Sequence, residues 1–307
     1  MSSKDFDKIV AECRKCIKSK RVIGNDPSPR FESFHAPSSI CSEKVRCVLF
    51  FKGVDFVSHD VDILTEENYQ PEYVAMRSLG REERPLIGQH DWTGSTSGDE
   101  MGFDPLVVPT LVDNLKKKVI AESRTIMNYL DREIPTPSLY PTDCADLVKK
   151  HVKLVDDTPH AGLLYGGDPD KDTRPAYLRA LAPGIAKKQG DALSSWLESG
   201  KLSAELRPLY EAKLKKNGMV QKTITTNPEA LRNSMTVTKK FLKELNEDLK
   251  KSEGPWICGN RLTMADIAWH VSLLRFVTFG CDYLYQDLPE VRYSLQKNHI
   301  ETPITSE

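Results

Sequence analysis

The chain has 307 residues, with 43 Lys and Arg against 44 Asp and Glu, a formal net charge of −1. Such a length fits about two domains and a core large enough to need no disulfide or metal staple. With 28% charged and 39% hydrophobic residues, the composition excludes wholesale disorder, and the charge balance gives no footprint for nucleic acid or an anionic membrane.

Residues 1–28 read as an N-terminal extension, closed by Asn25-Asp26-Pro27-Ser28-Pro29. MSSKDFDKIV lacks the apolar core of a signal peptide, so a cytoplasmic location is expected. The basic amphipathic stretch AECRKCIKSKRVIG predicts a short surface helix. It carries Cys13-x-x-Cys16, two of seven scattered cysteines. No second CxxC or paired histidine completes a zinc site, so no metal is expected. No strand precedes the pair, so no redox role is expected of it either.

Residues 29–134 read as a small α/β domain. A short strand is predicted at 30–36, then a helix at 40–52 with the stripe Cys41, Val45, Val48 and Leu49. Gly53 ends that helix. A second alternating strand covers 55–62, and a short helix 66–77. Residues 78–106 have no clean period and read as an inserted loop. An apolar run at 106–113, interrupted by Pro109, and KVIA at 118–121 make a hairpin. Glu122-Ser123 opens a helix with Ile126, Met127 and Leu130 on one face. The proline-rich segment 135–142 reads as a linker.

From 143 to 307 only helical periods remain, at 143–157, 175–198, 204–216, 228–251 and 264–279. In the fourth, Val237, Phe241, Leu245 and Leu249 predict the core stripe. The last includes the longest apolar stretch near the C-terminus, 267–279, which is far short of a bilayer span.

Three segments can carry chemistry. Ser38-Ser39-Ile40-Cys41 lies between a strand and a helix, where a helix N-terminus favours a thiolate or another anion. Ser39 can donate to a bound thiolate; alternatively it only caps the helix, and Cys41 is a small core residue. Val108-Pro109 can form a cis peptide that presents backbone outward, or an edge strand with a trans proline. Glu122-Ser123 can hold a ligand carboxylate at a second helix start, or simply cap it. His35, His59 and His151 are isolated and read as structural. His160 and the adjacent GLLYGGDPDKD could line a substrate pocket, although spacing alone does not place them there.

The order strand, helix, strand, hairpin and helix, with a proline before the third strand, is the thioredoxin-like layout. Over 30–134 the chain resembles the glutathione transferases, through SSICSEKVR, VVPTLVD and AES in that order. PWICGNRLTMADIAWHVSLLR resembles the family's late core helix, with Thr263-x-x-Asp266 as an N-capping box. The resemblance implies a thioredoxin-like α+β domain followed by an all-α transferase domain. Within the family, Ser39-Ile40-Cys41 and the inserted TGSTSGDEMGFDPLVVPTLVD resemble the halogenated-hydroquinone reductive dehalogenases. A long middle insertion at about 166–227 departs from that pattern. It is similar to the longer ganglioside-induced differentiation-associated proteins, whose hydrophobic tail the ending NHIETPITSE lacks.

The resemblance implies glutathione as co-substrate and a small halogenated aromatic as substrate. Cys41 and Ser39 would be catalytic, and Val108, Pro109, Glu122 and Ser123 would bind glutathione. No nucleic acid or membrane partner is implied, and a homodimer is the assembly it allows. Two other functions follow from the same resemblance: a glutathione-dependent cis–trans isomerase, and a non-catalytic glutathione-binding adaptor.

Overall fold

The structure is a computed structural model that describes residues 3–88, 95, 98–220 and 227–297. Residues 89–94 and 96–97 of the expected loop, 221–226 of the expected insertion, and the ending 298–307 lie outside the described residues. Contacts divide the chain into two units. The first comprises Met1–His90, Gly98–Thr136 and Gln189–Asn217; the second comprises Asp91–Ser97, Pro137–Lys188 and Gly218–Glu307.

The first unit is built on a five-stranded sheet: β1 (Ser19–Ile23), β2 (Phe31–His35), β3 (Phe56–Asp60), β4 (Thr110–Asp113) and β5 (Lys118–Ala121). Their order is β1-β3-β2-β4-β5. β2 and β3 run parallel, and every other pair is antiparallel. All five residues of β2 are buried, because helices cover both faces of the sheet. Helices α1 (Ser3–Cys16) and α3 (Pro71–Ser78) pack over the face carrying Phe34 and Val112. Helices α2 (Ile40–Phe51) and α5 (Ser123–Glu133) pack on each other and cover the opposite face, where Arg46 of α2 meets His35.

The N-terminal helix differs from expectation. It starts upstream, at Ser3, and ends at Cys16, and it is not a surface helix: Phe6, Val10, Cys13 and Ile17 are each at most 3% exposed. Their spacing is one helical stripe, half of it upstream of the basic stretch that suggested a surface position. Arg14 of α1 and His59 of β3 both hydrogen-bond the buried Glu32 carboxylate, and Asn114 donates to it at 2.8 Å. Burial raises the Glu32 carboxyl, but the hydrogen bonds from His59, Arg14 and Asn114 overcome it and hold the group down at about 2. The second half of the stretch expected to be helical is instead the edge strand β1, whose residues are exposed at four of five positions and show no alternation.

The stretch without a period is packed rather than loose where it is described. It contains the single-turn α4 (Gly98–Met101), and Phe103 exchanges backbone hydrogen bonds with Pro85 and Ile87. Residues from Gln189 onward, in α7 (Ala176–Glu198) and in α8 (Arg207–Val220), join this unit through Leu193, Leu209 and Tyr210. These pack on Tyr69, Val74 and Leu106, and the Tyr210 hydroxyl donates to the Tyr69 carbonyl.

The second unit is helical. α6 (Ala145–Asp157) packs on α10 (Met264–Thr278), and α9 (Pro228–Lys251) on α11 (Pro289–Lys297). The expected capping box at α10 is present: Asp266 Oδ2 accepts from the Thr263 amide at 2.8 Å, while the Thr263 side chain caps the Asp266 backbone. In α9 the buried stripe is Leu231, Met235, Thr238, Leu242 and Leu245; of the expected stripe Leu245 is buried, and Val237, Phe241 and Leu249 are only half-buried. Polar residues can join it because their hydrogen bonds are made locally, as Thr238 to Ser234 and Ser234 to Ala230. Among the described residues no helix is long and apolar enough to cross a membrane.

An α/β domain with a mixed sheet is thus followed by a helical domain, as the resemblance implies.

Candidate active site

Strand register brings the three chemical segments to one end of the sheet. Phe34 pairs with Thr110, and Thr110 pairs with Ala121. The chain therefore leaves β2 toward Ser39, enters β4 from Pro109 and leaves β5 toward Glu122 along the same edge.

At the first segment Ser39 is the N-cap of α2, in extended backbone, and its Oγ accepts from the Ser42 amide at 3.3 Å. Capping does not exhaust the hydroxyl, which keeps its own proton to donate. Arg46 braces the preceding turn by donating to the Ala36 and Pro37 carbonyls at 3.2 and 3.1 Å. Arg46 also lies 3.1 Å from His35 Nδ1; burial first, and that charge second, hold His35 down at about 3. The neutral imidazole bonds Ser58 through Nε2 at 2.8 Å. Cys41 is the second residue of α2 and only half-buried. Cys47 of the same helix is buried, and burial pushes its thiol up to about 12. One helix thus carries an inert structural cysteine and an accessible one at its positive end.

At the second segment the Val108–Pro109 peptide is cis. The flanking carbonyls are tied from the α3 side: Asn68 donates to Leu106 and Tyr73 to Val107, each at 2.8 Å, and Arg77 to Pro109. No described residue hydrogen-bonds the Val108 backbone. At the third segment Glu122 has φ +74° immediately before α5, and Ser123 is buried as the first helical residue. Burial raises the Glu122 carboxyl, and Arg77, 2.7 Å away, opposes it.

Arg77 joins the second and third segments. Fully buried, it donates to Pro109, to the Thr110 hydroxyl at 3.0 Å, to Glu122, and through Nε to the Asp104 carbonyl at 2.8 Å. Sequence reasoning missed it, together with Tyr73 and Asn68. The available signal was an arginine four residues after Tyr73 on a helix stripe that is otherwise apolar. His160 lies in the core: it is 5% exposed, bonds Ser272 at 2.8 Å and stacks on Phe276. The Cys13 and Cys16 thiols lie at the end of α1, where the Cys16 thiol reaches the Cys13 carbonyl. Among the described residues no group of three or more His, Cys, Asp or Glu could hold a metal.

Two family models match the chain: the glutathione S-transferase N-terminal domain over residues 38–133 and the C-terminal domain over 217–299. The chain is 39% identical, over 265 residues, to the 2,5-dichlorohydroquinone reductive dechlorinase of two Sphingobium indicum strains; the match covers 84% of this chain and 75% of that protein. Among solved structures it is similar to the beta-etherase LigF of Sphingobium sp. strain SYK-6, with a TM-score of 0.57, 17% identity and 90% and 98% of the two chains covered. It is also similar to glutathione transferase F2 of Populus trichocarpa, with a TM-score of 0.54, 13% identity and 89% and 96% covered. Likeness at that identity speaks for the fold alone. Fold, paired domain models and the dechlorinase relative agree, and the chain belongs to the glutathione S-transferase family of enzymes.

Proposed function

We propose that the protein is a glutathione-dependent reductive dehalogenase acting on a halogenated hydroquinone or related aromatic. The observation that carries this reading is the half-buried Cys41 beside the Ser39 cap at the start of α2, in a chain 39% identical to a dichlorohydroquinone dechlorinase.

The reaction has three thiol steps. Glutathione thiolate, held by the Ser39 hydroxyl and the helix end, displaces halide and leaves a glutathionyl aromatic. Cys41 thiolate attacks the conjugate's sulfur; the carbon–sulfur bond breaks with its electron pair staying on the ring, which takes up a proton. The product aromatic departs, and Cys41 is left as a mixed disulfide with glutathione. A second glutathione exchanges onto that disulfide, freeing Cys41 and releasing oxidised glutathione. Two thiols are oxidised by two electrons, and one carbon–halogen bond is reduced to carbon–hydrogen.

The Val108 backbone beside the cis-proline, which no described residue hydrogen-bonds, would take the cysteinyl backbone of glutathione. Glu122 would accept from the γ-glutamyl ammonium, and Ser123 with the α5 N-terminus would hold its carboxylate. Calorimetry with glutathione tests the binding half. No heat up to millimolar concentration removes the assignment of these residues. Mass spectrometry after incubation with a chlorohydroquinone and glutathione tests the chemistry.

A further inference from the structure

Asp104 carries two lysines from the inserted helix α8. Its Oδ2 lies 2.7 Å from Lys213 Nζ and 3.0 Å from Lys216 Nζ. Asp104 and Lys213 are 4% and 6% exposed. Burial pulls Lys213 down to about 8 even with Asp104 alongside, so holding this cluster dry is costly.

Adhesion does not require it. Leu193, Leu209 and Tyr210 already bury this segment against Tyr69, Val74 and Leu106, and apolar side chains would hold α8 at least as well. The cluster instead fixes one position. The Asp104 main-chain carbonyl accepts from Arg77 Nε at 2.8 Å, while its Oδ1 accepts from the Leu106 amide at 3.1 Å. Arg77 in turn holds the Pro109 carbonyl and the Glu122 carboxylate. Lys216 and Arg84 are among the charges that act on Glu122. A continuous path of hydrogen bonds therefore runs from α8 to both halves of the proposed glutathione clamp.

We propose that Asp104, Lys213 and Lys216 are positioning residues for glutathione. They fix Arg77, and through it the Pro109 turn and Glu122, so that the inserted helices set the affinity for the tripeptide without touching it. The proposal rests on the glutathione reading of the site given above.

The test uses the full chain and the variants Lys216→Met, Lys216→Arg and Asp104→Asn, with thermal unfolding to establish that each is folded. Glutathione affinity is read by calorimetry, and KM and kcat with a chlorohydroquinone. Lys216→Met should weaken glutathione on the order of ten-fold through KM, with kcat at saturating glutathione within about two-fold, and Lys216→Arg should restore it. Asp104→Asn should weaken it further. A purely structural role predicts the opposite split, with fewer active molecules, a lower kcat and an unchanged KM. If Asp104→Asn does not fold, Lys216→Met decides, because Lys216 is 22% exposed and tolerates replacement. Wild-type affinity in a folded Lys216→Met overturns the proposal while leaving the glutathione site standing. No glutathione binding by the wild type overturns both.

Discussion

Ser39 is asked to do two things at once, and replacing it in two ways separates them. Its Oγ accepts from the Ser42 amide at 3.3 Å, long for such a bond, so the cap belongs to the weaker half of the capping range, about 0.5–1 kcal/mol. In the proposed reaction its proton remains to donate to the glutathione thiolate. A hydrogen bond to a charged group is worth about 1.5–3 kcal/mol, or roughly 10–150-fold in rate. Ser39→Ala should lose both: about 0.5–1 kcal/mol of stability and roughly 10–150-fold in conjugate formation. Ser39→Asp keeps a good cap, and the α2 dipole favours its carboxylate, so stability should stay within a few tenths of a kcal/mol. A carboxylate cannot donate and repels a thiolate, so conjugate formation should fall at least as far as in Ser39→Ala. Urea unfolding reads the first quantity and single-turnover conjugate formation the second. A Ser39→Asp enzyme forming conjugate at the wild-type rate would refute the assigned role of the hydroxyl.

Glu32 falls from an ordinary 4.5 to about 2, which corresponds to about 3 kcal/mol. A depressed carboxylate stabilises the fold above its unfolded value, and that contribution is lost as pH falls from about 4.5 toward 2. Glu32→Gln should remove that part of the acid dependence in urea unfolding; an unchanged pH slope would contradict the pairing with Arg14 and His59. Ser123→Ala should weaken glutathione by about 1–3 kcal/mol by calorimetry, and unchanged affinity would take Ser123 out of the site. Phe6, 1% exposed, makes α1 part of the core, so Phe6→Ala should cost about 3–5 kcal/mol in chemical denaturation; a loss below 1 kcal/mol would return α1 to the surface.

Legibility followed local physical signals. Helix starts after strands, a proline in an apolar run and the Thr263–Asp266 box are encoded within a few residues, and the architecture followed from their order. The buried face of α1 was hidden because its stripe begins at Phe6, upstream of the cysteines that drew notice to the segment. β1 was hidden because an exposed edge strand need not alternate. Arg77 was hidden for a different reason: its partners Asp104, Pro109 and Glu122 lie 27 to 45 residues away in the chain. Long-range satisfaction of a buried guanidinium leaves no period to read. In α9 the hidden part of the stripe is polar, since Ser234 and Thr238 are buried by virtue of local bonds that hydrophobicity does not register.

Product analysis of Cys41→Ser, incubated with a chlorohydroquinone and glutathione beside the wild type, tests the central claim most directly. A serine hydroxyl is a poor nucleophile toward sulfur, so the variant should carry out the first substitution and accumulate the glutathionyl aromatic. The wild type should release the dehalogenated hydroquinone and oxidised glutathione, passing through a glutathione adduct at Cys41 that peptide mass mapping can capture. Full reductive turnover by Cys41→Ser, with no conjugate building up, would contradict the account. So would glutathione-dependent double-bond isomerisation by both forms with dehalogenation by neither, which would make the protein an isomerase.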